Sequence, residues 1–204
     1  MMILNNQGDF MTRTFLKFVC FLSITLFSSF ALATEEKYTI DPAHSFVVWR
    51  IDHLGFSKQM GKWPANGTIL LDQGNPDKSK VDVTIQMNQL VTGNSELNKH
   101  LMGPMFFDES KYPAATFVSQ KIKLISKDSA EIMGDLTLHG VTKSVKLDTK
   151  LNKLGKNMIN DKPSVGFSAD AVIHRSQFGV KGFLPMVGDQ VNLLIDVEAQ
   201  KDSK

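Results

Sequence analysis

The run Leu136-Thr-Leu138-His139-Gly140-Val141-Thr-Lys-Ser-Val145-Lys-Leu147-Asp-Thr149-Lys-Leu151 carries the pattern that decides the fold class. Val141, Lys143, Val145, Leu147, Thr149 and Leu151 share one mostly apolar face; Thr142, Ser144, Lys146, Asp148 and Lys150 share the other. Side chains alternate across a strand, so a period of two marks an antiparallel strand with one buried and one wet side. His139-Gly140 links this run to an earlier one over residues 130–138. A two-residue link ending in Gly suits a tight hairpin.

The same period recurs on both sides. Val81, Val83, Ile85 and Met87 alternate with Asp82, Thr84 and Gln86. Val165, Phe167, Ala169, Ala171 and Ile173 alternate with Gly166, Ser168 and Asp170. Val191, Leu193, Ile195 and Val197 alternate with Asn192, Asp196 and Glu198. With weaker runs, eight strands are expected near 45–53, 67–72, 81–88, 114–126, 130–138, 141–151, 164–175 and 188–199. Asn66-Gly67, Gln73-Gly74-Asn75-Pro76 and Lys127-Asp128 supply turn chemistry between them. One short helix is expected between the third and fourth strands. Asn94 or Ser95 caps it, Leu97, Leu101 and Met102 repeat at helical spacing, and Gly103-Pro104 ends it. The class is therefore all-β and antiparallel. Periodicity alone does not choose between a sandwich and a closed barrel, although closure removes exposed edges.

The first 33 residues differ from this pattern. Six of the 14 Phe and the single cysteine, Cys20, lie before residue 34. Arg13 and Lys17 precede an apolar run from Phe18 to Phe27, and Ala31-Leu32-Ala33 closes it. This is the three-part pattern of a secretory signal cleaved after an A-x-A site. Residues 1–33 are expected to be removed, leaving 34–204 as one domain, exported to the periplasm or secreted. The chain of 204 residues carries a net charge of +2 and no long run of like charges, which argues against broad nucleic-acid binding. One cysteine excludes a disulfide framework.

Catalytic and metal signatures are missing. Gly166-Phe-Ser168-Ala-Asp170 lacks the closing glycine of a nucleophile elbow, and no H-E-x-x-H occurs. His44, His53, His100, His139 and His174 are scattered. No metal site, no cofactor and no enzymatic activity are expected.

Four stretches together resemble the YceI-like family of exported polyisoprenoid-binding proteins. They are Tyr38-Thr-Ile-Asp41-Pro-Ala-His44-Ser45 through Gly55, His100 through Asp108 with Tyr112 to Phe117, Gly134 through Lys143, and Arg175 through Val180 with Val187 to Val191. The resemblance covers about residues 36 to 199. It implies an eight-stranded antiparallel β-barrel, lipocalin-like, with an apolar tunnel for an isoprenoid chain such as a polyprenyl quinone or polyprenyl phosphate. A hydrocarbon tail has no hydrogen-bonding groups, so its site needs only shape and apolar surface.

On that footing the tunnel candidates are Val47, Trp49, Ile51 and His53, which share one strand face, with Phe117, Phe167, Phe178 and Met186. Phe106 and Phe107 read as packing after the helix. Asp41, His44, Tyr112, Pro113 and Asp135 read as turn-forming residues. A bound isoprenoid or other long-chain amphiphile is the expected partner. A homodimer is compatible with the chain, without a specific interface signal. Two alternatives stand beside the carrier: an enzyme acting on an isoprenoid lipid, with His53 as its titratable group, and a solid barrel with a structural or stress-protective role.

Overall fold

The computed structural model describes residues 35–203, so the expected export signal over 1–33 lies outside the described residues. The strands are β1 (Glu36–Ile40), β2 (Phe46–His53), β3 (Ser57–Pro64), β4 (Asn66–Leu71), β5 (Lys80–Gln86), β6 (Ala114–Leu124), β7 (Ser129–Leu138), β8 (Val141–Lys156), β9 (Pro163–His174) and β10 (Val187–Lys201). Among the described residues the one α-helix, α1 (Ser95–Met102), lies between β5 and β6. Asn94 caps it: its side-chain oxygen accepts from the amides of Glu96 at 3.0 Å and Leu97 at 3.1 Å.

The sheet closes. Neighbouring strands pair antiparallel from β4 through β10, and β10 then pairs with β1, which returns to β4. β2 occupies the other half of β10, and β3 lies along β2. β1 and β2 are thus two halves of one bent stave, and β3 and β4 are halves of the next. Ten strands make a barrel of eight staves in simple meander order, so no edge strand is left along the closing seam.

The bend in the first stave is held by a side chain standing in for a ladder bond. Ser45 is fully buried; its hydroxyl donates to the Glu198 carbonyl at 3.1 Å and accepts from the Glu198 amide at 2.9 Å. The Ser45 carbonyl in turn accepts from the Ala65 amide at 2.9 Å, where β3 passes into β4. Asp41 turns the chain into this bend by accepting from the Ala43 amide and meeting His44 Nδ1 at 2.9 Å. The His44 contact and the Ala43 amide hold the Asp41 carboxyl below its ordinary range.

Two strands have no counterpart in the sequence expectations, β1 and β3. Ser57-Lys-Gln-Met-Gly-Lys-Trp-Pro lacks a clear alternation and has Trp63 as its one strong strand former. It is extended because all eight of its positions pair with β2, so tertiary pairing overrides local propensity. β8 also runs past Leu151 to Lys156, where the alternation has faded. The hairpin at 139–140 stands as expected, with Leu138 opposite Val141. His139 has φ 52° and Gly140 has φ 73°, the pair of left-handed conformations that a primed two-residue turn needs.

Candidate functional site

The inward positions of the staves do not meet. They surround a cavity of about 950 Å3 that follows the barrel from the α1 end to the turn between β6 and β7. Leu147, Phe167, Leu193, Ile195 and Val197 all point inward, yet each is only half-buried because it faces this space. In a filled barrel the same positions would be fully covered, since interiors pack near crystal density. The hollow interior weighs against the solid-barrel alternative.

Strand parity places most of the wall. Val47, Trp49, Ile51 and His53 line the cavity from β2, and Phe117 and Phe167 from β6 and β9. Val81, Val83 and Ile85 of β5 and Val145, Leu147, Thr149 and Leu151 of β8 add to it. Two of the large rings lie flat against the wall because the adjoining strand carries glycine. A Cβ on Gly61 would come within 2.6 Å of the Trp49 ring, and one on Gly134 within 2.3 Å of the Phe117 ring. Any side chain at either position would drive an aromatic ring into the lumen. Gly61 and Gly134 therefore keep the barrel hollow.

At one end α1 crosses the lumen, with Leu97, His100 and Leu101 on the cavity side. Phe106 and Phe107, expected to pack, also line the cavity. Phe107 stands edge-on to Trp63 at 5.3 Å, and Trp63 is anchored by its Nε1 donating to the Met87 carbonyl at 3.1 Å. Phe106 meets His100 at 5.2 Å and Phe183 at 6.1 Å.

Phe178 and Met186 do not line the lumen. Phe178 is 1% exposed and closes the short 3₁₀ helix Arg175–Phe178, packed into the main apolar cluster. Its carbonyl meets His139 Nδ1 at 3.1 Å. Met186 is 57% exposed and sits beside the β2–β3 turn, where the Leu54 amide donates to its carbonyl at 3.1 Å.

Arg175 opens one of the four motifs quoted from the sequence, but the sequence expectations give it no place in the wall. Arg175 is 5% exposed and lines the cavity. It donates from Nε to the Gly188 carbonyl at 2.7 Å, from one terminal nitrogen to Val180 at 3.0 Å and from the other to Val187 at 2.9 Å. Burial lowers its pKa from the ordinary value, with Asp189 opposing that shift. Burial raises the Asp189 carboxyl, but the Ser176 amide and hydroxyl, together with His174 and Arg175, hold it below its ordinary value. The signal was available: Arg175 continues the inward parity of Val165, Phe167, Ala169, Ala171 and Ile173. A charge at an inward position announces a clamp, and this one ties the loop 180–187 to β10. Among the described residues no group of His, Asp and Glu side chains converges as metal ligands.

A closed antiparallel barrel of eight staves around an apolar lumen defines a β-barrel binding protein. The chain belongs to the YceI-like family, whose domain pattern matches residues 38–199. It is 38% identical over 179 residues to Protein YceI of Escherichia coli, covering 87% of this chain and 93% of that one. Its fold is similar to that of Burkholderia cenocepacia BcnA, with TM-score 0.70 at 22% identity over 78% of this chain and 98% of that one. It also matches a polyisoprenoid binding domain from Saccharophagus degradans, implicated in plant cell wall breakdown. That likeness has TM-score 0.64 at 12% identity and covers 81% of this chain and 98% of the other. At such identities the two structures speak for the fold.

Proposed function

We propose that this protein is a non-catalytic carrier of a long-chain apolar amphiphile, an isoprenoid lipid, exported to the periplasm or beyond the cell. The observation that carries the reading is the cavity: about 950 Å3, walled by the inward faces of the staves. That volume lies at the upper end of the roughly 300–1,000 Å3 usual for small-molecule sites. Apolar burial at about 25 cal/mol per Å2 lets a multi-unit chain bind firmly without a polar motif. Ligand contact falls to Val47, Trp49, Ile51, His53, Phe117 and Phe167, joined by Phe106 and Phe107. The polyisoprenoid-binding neighbour with the same barrel supports the ligand class, and the three-part pattern of residues 1–33 supports export.

The test is mass spectrometry of organic extracts from natively purified protein. An isoprenoid lipid is expected in repeated preparations. Its consistent absence, together with no uptake of a polyprenyl quinone by the purified protein, overturns the proposal.

A further inference from the structure

Six large apolar side chains stand exposed at the α1 end: Phe56 at 89%, Met186 at 57%, Met105 at 55%, Met60 at 51%, Leu54 at 47% and Phe183 at 46%. They come from three separate parts of the chain, the β2–β3 turn with β3, the segment after α1, and the loop before β10. The fold brings these parts together. The Leu54 amide bonds the Met186 carbonyl, Gly182 packs against Met105, and Phe183 stacks near Phe106 and His100. Phe183, Phe106 and His100 also line the cavity, so the exposed apolar rim runs without a break into the lumen wall. Contiguous apolar surface of this kind marks an interaction site.

Backbone conformation supplies a second, independent sign. Five non-glycine residues among those described have a positive φ: Leu54, Asp108, His139, Asp161 and Phe183. Asp and His tolerate that region, whereas bulky apolar residues rarely enter it. The two that break the rule, Leu54 at 58° and Phe183 at 57°, are both rim residues. Asn or Gly would suit either backbone better, and neither would supply apolar surface there. Strain of this kind gathers where a side chain has work to do outside the fold.

The occupant follows from shape, charge and continuity. Phe56 projects from a hairpin turn, a convex wedge and not a flat face. The neighbouring charges are mixed in sign: Lys58 pairs with Asp52 at 2.7 Å and Lys99 with Glu96 at 3.0 Å, while Asp108, Glu109 and Lys111 after α1 and Lys181 before β10 form no ion pair among the described residues, so no field of a single sign surrounds the mouth. A second copy docked mouth to mouth would seal the lumen. A bilayer would let an apolar chain pass from lipid to lumen without crossing water. The geometry points to a lipid bilayer as the partner of this rim, with Phe56, Met105 and Met186 seated in the interfacial layer and α1 over the point of transfer. Insertion of this kind rests on apolar area, so it does not require anionic lipid. The proposal builds on the carrier reading, and its experiment separates the two.

Purified protein is floated with phosphatidylcholine vesicles in low and high salt, beside two double variants. Phe56→Asp with Met105→Asp charges the rim. Met158→Asp with Ile159→Asp charges the exposed turn between β8 and β9 at the opposite end, where those residues are 89% and 96% exposed. Wild type and the far-end variant are expected to float equally in both salts, and the rim variant at least fivefold less. Equal flotation of the rim variant, loss in the far-end variant, or failure of wild type to float overturns the proposal. So does a rim variant whose sole change in analytical ultracentrifugation is loss of a dimer, which gives the rim to a second copy. Quinone uptake from detergent micelles is followed in parallel by tryptophan fluorescence and is expected to survive in the rim variant. Flotation without uptake in wild type leaves docking standing and fails the carrier reading; uptake without flotation does the reverse.

Discussion

The two ends of the barrel are closed by different chemistry. At the end opposite α1, two of the loops are polar and satisfy themselves, while the β8–β9 turn exposes Met158 and Ile159. Asp72, 4% exposed, accepts from the amides of Gly74 and Asn75 at 2.9 and 2.8 Å, and its own amide donates to Ser79 Oγ. Ser126 joins Asp128 and Ser129 through hydroxyl contacts of 2.8 and 2.6 Å. At the α1 end the covering residues are Phe, Leu, Met and His, and the polar work falls to Arg175 behind them. A polar loop finds its partners in its own backbone, so it needs nothing beyond water. An apolar loop finds partners only by packing, and the exposed half of this one is left without any. The same barrel thus carries one end whose polar turns are satisfied internally, with Met158 and Ile159 exposed on the β8–β9 turn, and one whose exposed apolar rim is continuous with the lumen wall.

Three changes sharpen that comparison. The largest effect should come from joining neither end to the other. Ala169 lies midway along β9 on the lumen wall, and Ala169→Phe places a ring across the passage. Polyprenyl quinone uptake is expected to fall at least tenfold, with the melting temperature within a few degrees of wild type because the ring enters empty space. Uptake at the wild-type level would mean that the two halves hold ligand separately.

Next comes the clamp at the α1 end. Arg175→Met leaves three carbonyls without donors and is expected to cost about 3 kcal/mol in urea unfolding, by the penalty for buried unsatisfied groups. Amide exchange should rise first in residues 180–188, ahead of the loops at the other end. Uniform acceleration would show that the clamp serves the whole barrel.

The smallest effect belongs to the polar end. Lys201 chiefly, with Gln73 and Tyr38, holds the Glu36 carboxyl below its ordinary value despite burial. Tyr38 is pushed up to about 12, first by burial and then by Glu36. A carboxyl depressed in the fold contributes stability above its unfolded value of about 4.3, and that contribution disappears as pH falls through the folded value. Glu36→Gln should therefore lie below wild type by less than about 1 kcal/mol at pH 7, the ceiling for exposed pairs. The gap should begin to close in thermal melts as pH falls below about 4.3 and disappear once pH is below the depressed folded value. A gap unchanged throughout the acid range in which the fold persists would assign the loss to packing and not to the charge.

Much of the lumen was legible beforehand because parity is local. Trp49 and Ile51 face inward for the same covalent reason as Val47, and the spacing of Val145, Leu147, Thr149 and Leu151 states it again. The misses share another cause. β3 is a strand by virtue of its partner, so Gly61 and Trp63 carried no readable sign of facing the lumen. Phe178 follows β9 but enters a 3₁₀ turn, where the period of two no longer applies. Met186, expected to touch ligand, lies outside the lumen beside the β2–β3 turn, in irregular chain where parity gives no direction. Phe106 and Phe107 follow α1 in irregular chain, and their direction depends on where the helix docks.

By itself the amino-acid sequence determined the all-β class, the short capped helix, the family and the inward face of most staves. Alternation and capping are properties of neighbouring residues, so a linear chain displays them. Closure, hollowness and the difference between the two ends were decided only in three dimensions. β10 must meet the bent stave from the other end of the described chain, and Trp49 and Phe117 must each find a glycine on an adjoining strand. Those meetings join residues remote in sequence, and only the folded barrel brings them within contact.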